Sequence, residues 1–391
     1  MAIEVYQQVG HNPNWNRESF LDDKCGTGLI FSPVHQPKNS FDNFDASIKD
    51  VSLFDPQFYL PSSQKPKLAS YPFFPETISG DGFSTSSFNA HALSSAEMCL
   101  DFQLEQNFSK IVIPLRFFDQ MLPDYVEQQE AFALHPFLDA LAKKDNEKDV
   151  LLTLPITSHM VENQIFRNNL LNWITKYPEI DGIYLICEFE RDTKQIQSEG
   201  YLVALMEFVN EIKSTGLSIV MGYQNTESLL FTLIDGVALS MGTFENTRIF
   251  SLDKFLVSDD ERRGPKARIY LNGLLNWIQF EQAKTIKAQN SKLWKKIYSA
   301  TKYADDALSK AVDPTFNQPG LYKHHFICMS QQIDALGKLP VSKRYELIRS
   351  WINDAMNNYK QIATFLPIEK HGNQAHLTPW LNAIDKFYSA H

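Results

Sequence analysis

Short apolar segments that end in polar residues recur along most of the 391-residue chain, separated by stretches long enough for a helix. Their hydrophobicity is continuous rather than alternating. This is typical of strands whose two faces are both covered, as in a parallel sheet with crossover helices. The eight segments are residues 28–36, 51–59, 110–118, 149–157, 182–190, 217–225, 236–244 and 267–275.

Eight strand-and-helix units favour a closed barrel over an open sheet, so the predicted fold is α/β, a (β/α)8 TIM-type barrel. The sequence predicts this barrel at residues 1–275, with a long Ser-, Pro- and Phe-rich insertion at about 60–108. The pattern of residues 276–391 predicts a C-terminal helical extension packed on the barrel.

The charge and the cysteines exclude several function classes. A formal net charge of -9 argues against a protein that coats nucleic acid non-specifically. The four cysteines lie far apart without a CxxC pair, so neither a zinc ribbon nor a disulfide framework is indicated. HExxH, a dinucleotide-binding glycine fingerprint, a Walker loop and a GxSxG elbow are absent from the sequence. We therefore expect no tightly bound metal and no cofactor.

The sequence also lacks the patterns of a leader peptide and of a membrane span. The first residues show no basic region followed by an apolar run, and no segment approaches the roughly 20 apolar residues that a membrane helix needs. We expect a cytoplasmic protein that makes no membrane contact.

In parallel barrels the active site forms at the carboxyl ends of the strands. Asp55 and Glu188 follow β-prone residues directly and are the first candidates for acid, base or nucleophile chemistry. His35 is a third candidate, as a general base that titrates near neutrality. The alternatives are an Asx-type turn for Asp55 and a loop histidine with satisfied ring nitrogens for His35.

A second group of polar side chains at the strand ends is suited to substrate binding. Arg116 requires an anionic partner, either Glu188 or a phosphate or carboxylate of the substrate. The segment 240–248, "SMGTFENTR", lies where many barrels bind phosphate, and a plain β-to-α turn is the alternative. The substrate-binding candidates are Arg116, Glu190, Tyr223, Asn225, Asn246, Arg248 and Asn272.

A basic stretch is the remaining candidate feature. Residues 284–303 contain six lysines and no acid, and aromatic residues are interleaved with them. This pattern favours a track for a phosphate backbone with aromatic rings for base stacking, and the alternative is a solvated helix face. The nucleic-acid-binding candidates are Arg262, Arg263, Lys266, Lys292, Lys295 and Lys296.

The order of eight strands, the acid-bearing strand ends "LFDPQFY" and "LICEFER", and the segment "RIYLNG" resemble the tRNA-guanine transglycosylase group. Its members are barrel enzymes that use carboxylates at the barrel mouth to exchange a base in a nucleic acid. The resemblance implies that Asp55 or Glu188 is the nucleophile or base. The zinc motif of that family, clustered cysteines and a histidine, is absent from this sequence.

Two functional hypotheses follow. The first is a glycosyl transferase or hydrolase that cleaves or exchanges a glycosidic or N-glycosidic bond in a nucleotide or nucleic-acid substrate. The alternative is a catalytically silent barrel that acts as a binding or assembly module in a multi-protein complex, with the C-terminal helices contacting a protein partner. The enzyme predicts that Asp55, Arg116 and Glu188 converge in a pocket, whereas the silent module predicts paired side chains and a plugged mouth.

Overall fold

The computed structural model describes residues 2–189, 191, 194–257 and 264–391. Eight parallel strands form a nearly closed barrel with surrounding helices, which confirms the predicted (β/α)8 fold. Their order in the sheet is β3-β2-β1-β8-β7-β6-β5-β4. The strands are β1 Val5–Gln8, β2 Gly28–Phe31, β3 Leu53–Phe54, β4 Ile111–Ile113, β5 Val150–Thr157, β6 Gly182–Glu188, β7 Ser218–Met221 and β8 Val237–Gly242.

The barrel closes between β3 and β4 through backbone hydrogen bonds that flank these two short strands. The amide of Ser109 donates to the carbonyl of Ser52 (2.9 Å), just before both strands. The amide of Phe117 donates to the carbonyl of Tyr59 (3.1 Å), just after them. The carboxyl ends of all eight strands therefore surround one opening, called the mouth below.

One barrel strand was not predicted, and one predicted strand lies outside the barrel. The first barrel strand is β1, a segment with two glutamines among its four residues that lacks a long apolar run. The predicted eighth strand at 267–275 lies outside the barrel, where β9 (Arg268–Leu271) pairs antiparallel with β10 (Asn276–Gln279). A buried hairpin strand has the same apolar composition as a barrel strand, so the sequence pattern did not separate them.

The helices alternate with the strands and then continue beyond the hairpin. A π-helical turn at 130–134 joins two of them, and short 3₁₀ turns occur at 226–233, 245–247, 252–255 and 272–274. The helices are α1 Pro13–Leu21, α2 Ala46–Lys49, α3 Pro75–Ser79, α4 Thr85–Asn89, α5 Ala92–Glu105, α6 Tyr125–Gln129, α7 His135–Leu141, α8 Ser158–Glu162, α9 Gln164–Ile174, α10 Glu199–Ser214, α11 Phe280–Gln289, α12 Ser291–Ile297, α13 Lys302–Ser309, α14 Pro319–Gly337, α15 Val341–Ile362 and α16 Leu377–Ala390.

Each barrel strand contributes at least one side chain to a buried cluster inside the barrel, separate from the larger core between the sheet and the helices, and β6 also contributes Ile186. The lower part of the barrel interior is therefore a packed core rather than a channel. The other eight side chains are Tyr6, Ile30, Leu53, Val112, Leu151, Tyr184, Val220 and Ala238.

The C-terminal helices are joined to the barrel and the hairpin by buried contacts. The indole nitrogen of Trp380 in α16 donates to the carbonyl of Ile196, before α10 (2.9 Å). His324 in α14 donates from Nε2 to the carbonyl of Tyr270 in β9 (2.8 Å). None of the helices in the described ranges combines the length and the apolar character needed to cross a bilayer.

Candidate active site at the barrel mouth

The two-residue period of a strand places several polar side chains on the inner face of the barrel, above the buried cluster. Asp55 is two residues after Leu53, Gln8 is two residues after Tyr6, and Glu188 is four residues after Tyr184. Asp55 and Glu188 therefore lie on the same inner face at the carboxyl end of the barrel, as predicted for residues of an active site.

Asp55 is 1% exposed, and its two carboxylate oxygens have different surroundings. Oδ1 accepts hydrogen bonds from the Tyr59 hydroxyl (2.7 Å) and from the Gln57 amide (3.0 Å). The latter closes an Asx-type turn, so the alternative that the sequence offered for Asp55 is also realised. Oδ2 has only long contacts, at 3.5 Å, to the hydroxyls of Tyr184 and Tyr223. Oδ1 is thus fixed, whereas Oδ2 is held loosely.

The protonation states around Asp55 follow from burial. Burial raises the pKa of Asp55 to about 6, although the hydrogen bond from Tyr59 and the positive charge of Lys254 lower it. Burial also raises the pKa values of Tyr59, Tyr184 and Tyr223 well above their usual range, and Asp55 adds to this. The three phenols therefore remain neutral hydrogen-bond donors beside a carboxyl group that titrates close to neutrality.

Lys254 belongs to the loop after β8, and its side chain lies close to Tyr223 and Asp55. Its Nζ atom lies 3.4 Å from the centroid of the Tyr223 ring and 5.4 Å from that of Phe250. The Nζ atom is buried and has no hydrogen-bond partner. Burial lowers the pKa of Lys254 well below its usual value, and the carboxylate of Asp55 offsets only part of this effect.

Other polar atoms on the inner face also lack partners. Gln8, Ser32 and Thr153 are each at most 1% exposed, and their Nε2, Oγ and Oγ1 atoms make no hydrogen bond to the described residues. The amide oxygen of Gln8 contacts only the Tyr184 hydroxyl (3.3 Å). Buried polar groups are normally paired, so a group of unpaired ones on one surface indicates a place for a polar ligand or ordered water.

Aromatic side chains lie over this inner face. Phe117, Phe250 and Phe255, called the aromatic cover below, are buried in the same inner cluster. Phe250 packs edge-on against Tyr59 (centroids 5.2 Å apart). The cover separates Asp55 from bulk water, which is the physical cause of its raised pKa.

His35 is buried beside this group, in the turn after β2. Burial, together with the charge of Lys254, lowers its pKa to about 3. The imidazole is therefore neutral at neutral pH, in contrast to the predicted base that titrates near neutrality. Its Nε2 atom has no hydrogen-bond partner, so the alternative of a satisfied loop histidine is not realised either.

Asp55, Arg116 and Glu188 were predicted to converge in one pocket. Among the contacts of the described residues, Arg116 contacts neither Asp55 nor Glu188. Its guanidinium donates to the Thr85 hydroxyl (3.3 Å) and packs against the rings of Phe118 and Phe83, 5.0 and 5.7 Å from their centroids. Arg116 makes no ion pair within the described residues, and burial lowers its pKa. Aromatic faces rather than Glu188 accommodate the charge.

Arg248 is buried away from Asp55, against the hairpin. Its guanidinium carbon lies 4.1 Å from the centroid of the Trp277 ring, and Nε and Nη1 have no partner. Burial lowers its pKa to about 10. Asn272 lies in the turn of the same hairpin, so it does not line the barrel rim, because the segment that carries it is not a barrel strand.

The remaining substrate-binding candidates have different positions. Tyr223 contacts Asp55 and accepts a hydrogen bond from Gln57 (2.8 Å). Asn225 is buried and donates to the carbonyl of Lys194 (2.9 Å), whereas Asn246 is exposed in the 245–247 turn. Glu190 lies outside the described residues.

The basic stretch does not form the predicted stacking track. Lys292, Lys295 and Lys296 are exposed on α12, but Trp294 is buried and stacks on Tyr298 (centroids 4.5 Å apart). Its ring faces are therefore not available to bases. Lys266 is exposed, and Arg262 and Arg263 lie outside the described residues.

The opposite, amino-terminal end of the barrel contains an open cavity of about 520 Å³. Thr232, Asp235 and Arg344 contribute to its lining.

Across the described ranges, no group of three or more His, Cys, Asp or Glu side chains is placed to hold a metal ion.

Sequence reasoning missed five polar members of the site: Gln8, Tyr59, Thr153, Tyr184 and Lys254. Gln8 was missed because β1 was missed, and Tyr184 because it lies inside a strand rather than at its end. The sequence around Lys254, "SLDKFL", has no feature that distinguishes it from a solvated turn.

Comparison of the chain with protein-family models gives no match, and comparison with curated proteins gives none. The resemblance to the transglycosylase group therefore stays a prediction.

Proposed function

We propose that this protein is an enzyme that cleaves or exchanges a glycosidic or N-glycosidic bond, with Asp55 as the nucleophile or base. The observation that carries the proposal is the asymmetry of the Asp55 carboxylate. Oδ1 is fixed by Tyr59 and Gln57, while Oδ2 has only contacts of 3.5 Å to two phenols. A positioned carboxylate with one loosely held oxygen is suited to the oxocarbenium-like centre of glycosyl transfer.

The raised pKa of Asp55 suits this role. With a pKa of about 6, the group is mainly ionised at pH 7 and still accepts a proton readily. Glycosyl transfer commonly uses a second carboxyl group to protonate the leaving group. Glu188, on the same inner face, is proposed for that role.

The unpaired atoms of Gln8, Ser32 and Thr153 support a sugar-containing substrate. An amide and two hydroxyls are groups that bind sugar hydroxyls. A sugar bound here would give these three buried atoms the hydrogen-bond partners that they lack. Their position inside the barrel favours a nucleoside or nucleotide over a polymer. The buried ring of Trp294 in the basic stretch supports the same choice.

Substitution of Asp55 tests the proposal. The substrates are a panel of ribonucleosides, deoxyribonucleosides, their monophosphates and nitrophenyl glycosides, and release of free base or nitrophenolate is measured. We expect the wild type to cleave at least one compound and Asp55→Asn to reduce kcat/KM by about a hundredfold or more. Asp119→Asn, at an exposed position, is the matched control and retains activity. A folded Asp55→Asn protein with unchanged turnover would contradict the proposal.

The second candidate function is the silent binding or assembly module, and the aromatic cover favours it. Phe117, Phe250 and Phe255 close the mouth in the way that a plugged barrel requires. This candidate predicts that no compound of the panel is cleaved. It also predicts that removal of the Asp55 charge stabilises the fold at pH 7 without loss of any activity.

A further inference from the structure

We propose that Lys254 is a second reactive group of this site, an amine that forms an imine with the aldehyde carbon of an aldose. The inference deepens the proposed function and rests on it, since cleavage of a nucleoside or glycoside frees an aldose, whose open-chain form carries an aldehyde. Lys254 and Asp55 would then act at the same carbon atom of the sugar.

The position of Lys254 carries the inference. Its Nζ atom is buried against the face of Tyr223 and makes no hydrogen bond to any residue in the described ranges, although an ammonium group has three donors. A buried lysine with a structural role is normally paired with a carboxylate or with carbonyl oxygens. Here the nearest aromatic neighbours are Tyr223, Phe250 and Phe255, which supply no acceptor oxygen directed at the nitrogen.

The titratable groups that face Lys254 favour its neutral, nucleophilic form. His35, from the turn after β2, interacts with it electrostatically and is neutral because its pKa is lowered to about 3. The phenols of Tyr59 and Tyr223 are neutral as well. Asp55 is the neighbouring anion, and it offsets only part of the burial that lowers the pKa of Lys254. A desolvated amine of this kind is the usual nucleophile in imine formation.

The reaction balances without an added oxidant or reductant. The lone pair of Nζ attacks the aldehyde carbon, the C=O π bond breaks, and one of the two amine protons passes to the carbonyl oxygen to give a carbinolamine. Asp55, in its protonated form, then donates a proton to that hydroxyl, and the C–O bond breaks to release water as the nitrogen lone pair forms the C=N bond of an iminium. The second amine proton passes from the iminium nitrogen to the Asp55 carboxylate, and hydrolysis reverses the sequence.

Reductive trapping tests the proposal. The full-length protein is incubated at pH 7 with glycolaldehyde or D-ribose and sodium cyanoborohydride, which converts an imine into a stable secondary amine, and peptide mass mapping locates the adduct. We expect Lys254 to be labelled about tenfold faster than the exposed Lys292, Lys295 and Lys296, because burial lowers the pKa of Lys254 and favours its neutral, nucleophilic form.

Two variants sharpen the test. Lys254→Arg keeps a cationic side chain and is expected to lose the fast-labelled site. Lys38→Arg removes a lysine that also lies near an aromatic ring, Phe102 (5.9 Å), but is exposed, and the fast site is expected to remain. The wild-type labelling pattern is informative even where Lys254→Arg fails to fold.

The outcomes separate this inference from the proposed function. Labelling of Lys254 at or below the rate of the exposed lysines overturns the inference. If Asp55→Asn has nevertheless lost bond cleavage, the proposed function stands alone. Fast labelling of Lys254 with an unaffected Asp55→Asn turnover supports the imine chemistry and overturns the role of Asp55.

Discussion

Asp55 is a buried carboxyl group on which the proposed function depends. It follows the two-residue strand β3 on the inner face, and the turn that it opens directs the Gln57 amide back to Oδ1. The sequence identified both the strand end and the turn. The two interpretations are therefore compatible, because the Asx-type turn fixes Oδ1 and leaves Oδ2 for the proposed role.

The stability of the protein should depend on pH through Asp55. The folded-state pKa is raised from 3.8 to about 6, so the folded protein binds this proton more tightly than the unfolded chain does. The stabilising contribution is present below about pH 4 and is lost as the pH rises through 6. We expect the free energy of unfolding of Asp55→Asn, relative to the wild type, to increase by up to about 3 kcal/mol between pH 4 and pH 7.

Urea unfolding of both proteins across this pH range measures the difference. Contributions of other titratable groups cancel in the comparison, because they are common to the two proteins. A difference in unfolding free energy that does not change with pH would show that the Asp55 pKa is not raised in the folded state.

The residues that sequence reasoning missed share one physical cause. Their roles depend on contacts between elements far apart in the chain, such as Tyr184 with Asp55 and Lys254 with Tyr223. A strand-end rule finds residues such as Asp55 and Glu188, because the rule is local. No local rule identifies a loop lysine that folds back over the mouth.

The close packing of Gly222, just after β7, against Tyr184 of β6 supports the candidate site. A methyl group added at Gly222, just after β7, would lie 2.8 Å from the ring of Tyr184 in β6. Tyr184 in turn contacts Asp55 and Gln8. The absence of a side chain at Gly222 therefore provides the space that the Tyr184 ring occupies.

We expect Gly222→Ala to destabilise the protein by about 1–3 kcal/mol, because the added methyl group would overlap the buried Tyr184 ring. Urea unfolding provides the measurement. The same substitution also displaces the Tyr184 hydroxyl from Asp55, so we expect activity on the panel to fall.

Gly200→Ala is the matched control for this glycine. Gly200 lies in the first turn of α10, where an added methyl group meets only the Glu162 carboxylate at 3.8 Å. Alanine is favoured over glycine in a helix, so this variant should be neutral or more stable by up to about 1 kcal/mol. Equal effects of the two substitutions would contradict the role assigned to Gly222.

The strand pattern was sufficient for the fold class but not for every strand. The long β5 and β6 were predicted because their apolar runs are continuous, whereas β1 was missed because "VYQQ" is half polar. Gln8 is polar because it faces the upper barrel interior rather than the core. The polar residues of β1 thus made the strand hard to predict, and one of them, Gln8, belongs to the candidate site.

At the scale of the whole molecule, one continuous core joins the sheet, the surrounding helices and the C-terminal helices. Arg344 of α15 is an example at the amino-terminal end of the barrel: it donates to the carbonyl of Thr232 (2.8 Å) and to Asp235 (2.6 Å). The C-terminal helices thereby cover part of that end, next to the open cavity. The proposed site at the mouth and the open cavity therefore lie at opposite ends of the barrel.

Crystal structures of the Asp55→Asn variant with the compounds of the substrate panel show most directly whether a ligand binds in the mouth or in the cavity beside Arg344. We expect a bound compound inside the mouth, with its anomeric carbon facing the side chain at position 55 and its hydroxyls bonded to Gln8, Ser32 or Thr153. A compound bound only in the cavity beside Arg344, or a barrel interior that stays closed by the aromatic cover with every compound, would contradict the proposed function.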